Sequence, residues 1–317
     1  MDIVNPGENR LPEGMTEADL RDAVVRSGFP LQSRLANALR TSTENFFVQD
    51  EYGYIDADLG APTIRTIDLL VDLDLHPGSH GPEVHPELAM LIECKRSTLP
   101  FVFFAADEKL WIPNFPIIAG LPYPFFDLRT PEGHTPVRPA QALRIDQHPF
   151  AGHVPANAYS FSRAARSSKL ELTGADAYQS VTLPLLKAAD YFVTCERPNR
   201  PPYTLTIVLP VAVLDAPMLV FQSTNDEERL FACPWVRVAR HSPAAPNVLH
   251  RSQLYAIDVV HYAFFDTYLY RHVLPFARHA ADLTLQHQAE LLAGRGAIDV
   301  PIDRGHIAAH AKLRPVP

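Results

Sequence analysis

Apolar positions recur along this chain at two different periods, and the change of period divides it. Thr16, Glu17, Ala18 and Asp19 read as a helix start, with Thr16 capping and Asp19 at N3 as a short capping-box variant. Leu20, Val24 and Val25 supply an apolar stripe, and Gly28 ends the helix. After Phe29 and Pro30, LQSRLANALR repeats Leu31, Leu35 and Leu39 at four-residue spacing, which predicts a second, buried helix. The period then becomes two. Phe46 to Val48 begin a strand that Tyr52, Tyr54 and Ile55 continue, with Asp56 and Asp58 read as turn residues before Gly60. Thr63–Leu75 alternates, with Ile67, Leu69, Val71 and Leu73 on one parity and Asp68, Leu70, Asp72 and Asp74 on the other. A strand turns those sets to opposite faces. The stretch 76–86, HPGSHGPEVHP, reads as a loop, Leu88–Thr98 as the next strand, and Pro100–Ala105 as extended.

Nine prolines from Pro113 to Pro155, among Trp111, Phe115, Tyr123, Phe125 and Phe126, exclude a regular helix or central strand through most of 107–160. The aromatics predict an ordered insertion packed on the body of the domain. Residues 175–193 read as a helix kinked near Pro184. Tyr203–Phe221 is strand-like, interrupted at Pro210 and Pro217, and Val236–Arg240 and Leu254–Val260 are further strands. Phe264–Leu292 is helical with a break at Pro275. The order predicts a mixed α/β domain over 16–300, its central sheet flanked by helices, with a loose arm at 1–15 and a tail at 301–317.

At 317 residues the chain is long enough to bury a large core without staples. Cys94, Cys195 and Cys233 share no zinc-ligand spacing and cannot all pair, which favours a reducing compartment. The opening residues are polar and acidic, and no apolar run approaches the roughly 20 residues of a membrane helix, so the expectation is a soluble, cytoplasmic protein. Net charge is −8, but residues 1–95 hold 7 Lys+Arg against 17 Asp+Glu. Such a balance does not advertise a broad nucleic-acid surface. It does leave carboxylates for a cation to neutralise.

The chemistry centres on Asp68 and on Glu93, Cys94, Lys95. In a strand Glu93 and Lys95 share one face and Cys94 takes the other, as a packed thiol. If the Asp68 strand pairs with the Glu93 strand, the two carboxylates and the lysine converge. Paired carboxylates repel, and a divalent cation relieves this by taking oxygens from both. Mg2+ suits such a site, since it keeps several waters, and Mn2+ can substitute. Asp72 and Asp74 share Asp68's parity and compete for the first ligand position. Arg96 faces away from Glu93, and as a permanent cation is a poor base.

This arrangement resembles the PD-(D/E)XK, or restriction-endonuclease-like, nuclease superfamily. IDLLVDLDL carries the first acid, Asp68, and IECK carries Glu93 and Lys95. The resemblance extends to a class of bacterial members through SGFPLQSRLANAL, through Tyr54, Asp56 and Asp58 as a Y-x-D-x-D stretch, and through Arg65, Ile67 and Asp68 as an R-x-I-D strand. AYQSVTLPLLKAADYF is similar to the helix these folds place after the catalytic strands, and TLTIVLPVAVLDAPMLVF to their later hairpin, turning at DAPM. It covers roughly 18–105 and 175–265. It implies a restriction-endonuclease-like core and Mg2+-dependent hydrolysis of phosphodiesters, with DNA as the default substrate. Asp68 and Glu93 would hold metal, Lys95 would orient or activate water, and defence against foreign DNA would be the setting. One departure is Gln32, where many members carry a glutamate aimed at the metal. Weak nucleic-acid contacts fall to Arg96, Arg163, Arg166, Lys169 and Gln179, the basic stretch SFSRAARSSK being either a phosphate-contacting surface or a capped, solvated loop. With an acidic balance, a homo-oligomer or partner protein is expected to help position substrate. The rival readings are an inactive nuclease fold that binds nucleic acid or acts as a scaffold, and an interaction module built on the Pro/aromatic insertion. His76, His80 and His85, and His306 with His310, lack metal-site patterns, and there is no Walker A or Rossmann glycine pattern.

Overall fold

The computed structural model describes residues 9–56, 62–76, 78, 83–105, 112, 114–195, 201–224, 227–241, 254–303, 306–308 and 310–316. Helix α1 (Glu17–Arg26) starts at the expected capping box: Asp19 N–H donates to Thr16 Oγ at 3.1 Å while the Asp19 carboxylate accepts from Thr16 N–H at 3.2 Å. Its stripe is not buried, however. Leu20, Val24 and Val25 are exposed, because α1 lies outside the layers that follow. Helix α2 (Phe29–Arg40) buries Leu31, Leu35 and Leu39 as predicted and takes Pro30 into its first turn, where no intrahelical N–H is required.

Strands β1 (Phe47–Asp56), β2 (Thr63–Asp74) and β3 (Val84–Arg96) form an antiparallel meander. β3 begins earlier than the loop reading allowed, and Pro86 lies within it. The chain then makes β4 (Phe101–Ala105), β5 (Ile117–Ala119), the hairpin β6 (Phe126–Thr130) and β7 (Gly133–Val137), then β8 (Asn157–Arg166) and β9 (Leu170–Thr173). After helix α3 (Leu183–Cys195) come β10 (Tyr203–Asp215), β11 (Met218–Ser223), β12 (Glu228–Ala232), β13 (Trp235–His241) and β14 (Leu254–His261). Helices α4 (Leu274–Gln286) and α5 (Gln288–Ala293) follow. Among the described residues twelve strands share one mixed sheet, ordered β1-β2-β3-β10-β14-β13-β8-β4-β11-β12, with β5 on β10 and β9 on β8. The fold is mixed α/β, with helices on a central sheet.

β10 runs parallel to β3 along all of Val84–Arg96. Past the ends of both strands the ladder turns a corner: Ser97 N–H donates to Asp215 O and Phe101 N–H to Pro217 O, and the pair continues as β4 beside β11. The hairpin expected at DAPM is therefore absent; β10 and β11 pair with other strands. Pro210 does not interrupt β10. It falls where that edge changes partner, from β5 at 206–208 to β14 at 211–214, and among the described residues no strand is in register opposite it on that edge.

Two apolar layers cover the sheet. Met90, Ile92 and Cys94 of β3 pack with Leu31, Leu35 and Leu39 of α2 and Phe276 of α4. Ala89 and Leu91 pack on the other face with Leu185, Ala188 and Ala189 of α3. Pro184 and Pro275 each follow a wide helical turn, Tyr178–Thr182 and Leu269–Val273. A wider turn accommodates a residue with no N–H to give, so the kink expected near Pro184 and the break expected at Pro275 both become bulges.

The 107–160 insertion is ordered where described, burying Phe115, Phe126, Leu128, Ile145 and Phe150. Its last residues belong to β8, a sheet strand between β13 and β4, so SFSRAAR is strand rather than loop. The expected tail is docked: Ile307, Ala311 and Leu313 are buried, and Arg314 exchanges backbone bonds of 2.8 and 2.9 Å with Ala297. No described helix is long and apolar enough to cross a membrane.

Candidate active site

The β2–β3 ladder runs from Asp74 opposite Glu87 to Leu69 opposite Ile92. The next position sets Asp68 against Glu93. Parity then directs Glu93 to the face of Ala89 and Leu91, at the end of that apolar row and beside Ala212 of β10. Asp68 Oδ2 accepts from the Cys94 N–H at 2.6 Å, which ties the acid of β2 to the backbone between Glu93 and Lys95. Register also separates the competitors. Asp72 stands opposite Ala89, and Asp74 is exposed, accepting from the His76 N–H at 2.8 Å.

Glu93 is 6% exposed. Its Oε1 accepts from Lys95 Nζ, and its Oε2 is buried with no hydrogen-bond partner. Burial, and then the Asp68 carboxylate, push the Glu93 carboxyl up to about 7, against the pull of Lys95 and of the Asp68 backbone. Burial likewise raises Asp68, and Glu51 adds to it, opposed by the Cys94 amide and Lys95. For Lys95, burial acts downward, but the attraction of Glu93 and their hydrogen bond prevail and raise it. Lys95 is therefore an ammonium at neutral pH, a donor and a positive charge rather than a base.

Gln32, on α2, is buried. Its Nε2 donates to Glu51 Oε1 at 3.0 Å and to the Asp68 carbonyl at 3.0 Å. Glu51 is a site residue that the pattern of the chain did not disclose. It sits in β1 between Asp50, opposite Leu69, and Tyr52, opposite Ile67, which sets it against Asp68. Its φ of 52° is left-handed, unusual for a residue with a side chain. An exposed acid in a polar stretch carries no sequence signal for either fact. The cluster thus comprises Gln32, Glu51, Asp68, Glu93 and Lys95. Among the described residues, no group of three or more His, Cys, Asp or Glu side chains is gathered as a metal cage.

Other expected contacts fall elsewhere. Arg96 does face away from Glu93; it donates to the Val25 carbonyl of α1 and lies 3.4 Å from Asp215. Arg163 and Arg166 lie on β8 and Lys169 in the turn to β9; Arg163 stands opposite Phe101 of β4, the strand that follows β3 past the corner. Arg163 is paired with Asp176 at 2.6 Å. Gln179 is exposed in the wide turn before α3, beside Tyr178, whose ring lies under Arg240 of β13. Asp56 is no turn residue. It is buried at the end of β1 between Arg65 at 2.9 Å and Lys187 of α3 at 2.5 Å. Asp58 and His80 lie outside the described residues. A shallow depression lined by Gln222, Glu227, Arg229, Leu230 and Phe231, on β11 and β12, contains none of the cluster. Comparison with protein-family models, with curated proteins and with solved structures finds no match to this chain.

Proposed function

We propose that this chain is a divalent-metal-dependent nuclease with a restriction-endonuclease-like core, hydrolysing nucleic-acid phosphodiesters, DNA by default. The observation that carries the reading is the buried, unpartnered Oε2 of Glu93 beside Asp68. A carboxylate oxygen without a hydrogen bond in a buried place is costly unless something positive meets it. Two carboxylates are the donor set that Mg2+ accepts while keeping its waters, so a two-ligand site needs no cage of three side chains. Support for the core comes from the run of helix, acid-bearing strand and E-x-K strand, then a helix on the E-x-K face.

Asp68 and Glu93 would hold the ion. When bound, Mg2+ supplies a Lewis acid for the phosphoryl oxygens and lowers the pKa of a bound water. Glu93 must give up its proton to bind, so occupancy rises with pH through about 7. Lys95, kept protonated by Glu93, places a fixed positive charge and N–H donors where charge grows on the phosphoryl group. The Cys94 N–H fixes the Asp68 carboxylate against β3, so the site is set by the sheet rather than by a loop.

The test incubates purified protein with linear, circular and single-stranded DNA and with RNA, each in Mg2+, Mn2+ or EDTA. Cleavage that needs the cation and disappears in Lys95→Ala, with the fold retained by circular dichroism, supports the reading. Absence of cleavage on every substrate with either cation overturns it.

A further inference from the structure

We infer that Glu51, clamped by Gln32, is an outer member of the cation site: it supplies a third negative charge that acts on an ion at Asp68 and Glu93 without ligating it. This rests on the reading of Asp68 and Glu93 given above.

Four observations converge. Glu51 lies between the β1–β2 pairs Asp50–Leu69 and Tyr52–Ile67, at the level of Asp68, and its charge acts on that carboxyl. Its carboxylate is held by Gln32, whose Nε2 spends both N–H groups in the cluster, one on Glu51 and one on the Asp68 carbonyl. A carboxylate at position 32 could make neither bond, having no hydrogen to donate, and would repel Glu51. Glutamine here is a clamp that places a charge carried by the neighbouring strand. Third, the backbone at Glu51 adopts a left-handed conformation that glycine would take without strain. A side chain kept at that cost to the fold points to a use for it. Finally, the buried Oε2 of Glu93 lacks a partner on the same cluster, so a positive occupant is called for independently of Glu51. The Glu51 carboxylate is exposed, and an acid in that position strengthens cation binding through the field rather than through a bond.

The experiment measures Mn2+ binding to the full chain, by calorimetry at pH 7.5 in low salt, alongside the melting temperature in EDTA. Wild type should bind, and Asp68→Asn should abolish binding. Glu51→Gln keeps an acceptor for the Gln32 clamp but removes the charge, and should weaken binding about tenfold. The gap between wild type and Glu51→Gln should shrink at high salt, since a field effect is screened. Glu51→Gly should weaken binding as much while leaving the melting temperature unchanged or higher, an opposition that a merely structural glutamate would not produce. Gln32→Met, which removes both donors, should cost about threefold. Unaltered Mn2+ affinity in Glu51→Gln, with binding still abolished in Asp68→Asn, overturns the role of Glu51 alone. A wild-type chain that binds no Mn2+ overturns this inference and the metal reading together.

Discussion

Two of the sheet's buried charged clusters are built to opposite plans. On β13 and β14, Arg237 and Asp258 are direct cross-strand partners, 1% and 2% exposed. Arg237 Nε and Nη2 donate to the two oxygens of Asp258 at 2.7 and 2.8 Å. Tyr268 Oη donates to Asp258 Oδ2 at 2.8 Å, and Arg237 Nη1 donates to the carbonyls of Phe150 and Ala151. The guanidinium lies 3.8 Å from the Phe115 ring centroid. Every charge there is met, and the cluster pins the Pro/aromatic insertion to the sheet. On β2 and β3 the balance is reversed: two carboxylates share one ammonium, and one oxygen is left unmet. Both clusters are buried and both bridge adjacent strands, so burial of charge does not distinguish them; the completeness of the pairing does.

The sharpest way to break this contrast is to spoil the complete cluster. Arg237→Ala leaves Asp258 buried with its main partner gone and should cost about 3–5 kcal/mol in denaturant unfolding. A loss under about 1 kcal/mol would mean that the cluster is not the insertion's anchor. Next, Lys95→Ala should lower the cleavage rate by about 10²–10³-fold, while its denaturation midpoint moves little, since Lys95 is one-third exposed.

The third test reads the unmet carboxylate through pH. The folded chain holds the Glu93 proton up to about 7, whereas the unfolded chain releases it near the ordinary value of 4.5. Between those values the native state binds more protons, so stability declines as pH rises from about 4.5 to 7. The full effect is about 3 kcal/mol. Wild type minus Glu93→Gln, measured by urea unfolding in EDTA at pH 5 and pH 8, should show this slope, and Mg2+ should restore stability at pH 8. Equal slopes in the two proteins would remove the case for a strained carboxylate. The smallest effect expected is from Tyr268→Phe, which removes one of several donors to Asp258 and should cost about 1–2 kcal/mol.

The legible parts of the chain were those where one face is buried and the period is clear. The alternation of Thr63–Leu75 and the parity of Glu93, Cys94 and Lys95 assign faces without any structure, whereas the register that sets Asp68 rather than Asp72 or Asp74 by Glu93 comes from the β2–β3 pairing itself. α2 was legible for the same reason. The stripe of α1 was equally visible, yet Val24 and Val25 are exposed, because a pattern says which residues are apolar and not what covers them. β8 gives no clear strand signal because Ser and Arg dilute its apolar positions, yet Phe161 and Ala164 are buried and the strand lies inside the sheet. Pro210 misled because partner exchange along one edge of β10 is a tertiary fact. Glu51 was invisible altogether: its place depends on a backbone conformation and on a glutamine 19 residues earlier.

The long parallel pairing of β3 with β10 has a consequence for synthesis. Gln32, Glu51, Asp68, Glu93 and Lys95 have all been translated by residue 95, but β10 ends only at Asp215. Until then one edge of the Glu93 strand has no neighbour, a sticky template for other nascent chains. The ribosome therefore delivers the clustered side chains early and their scaffold late, so a fragment ending near residue 105 would hold every member of the proposed site and would be prone to aggregate.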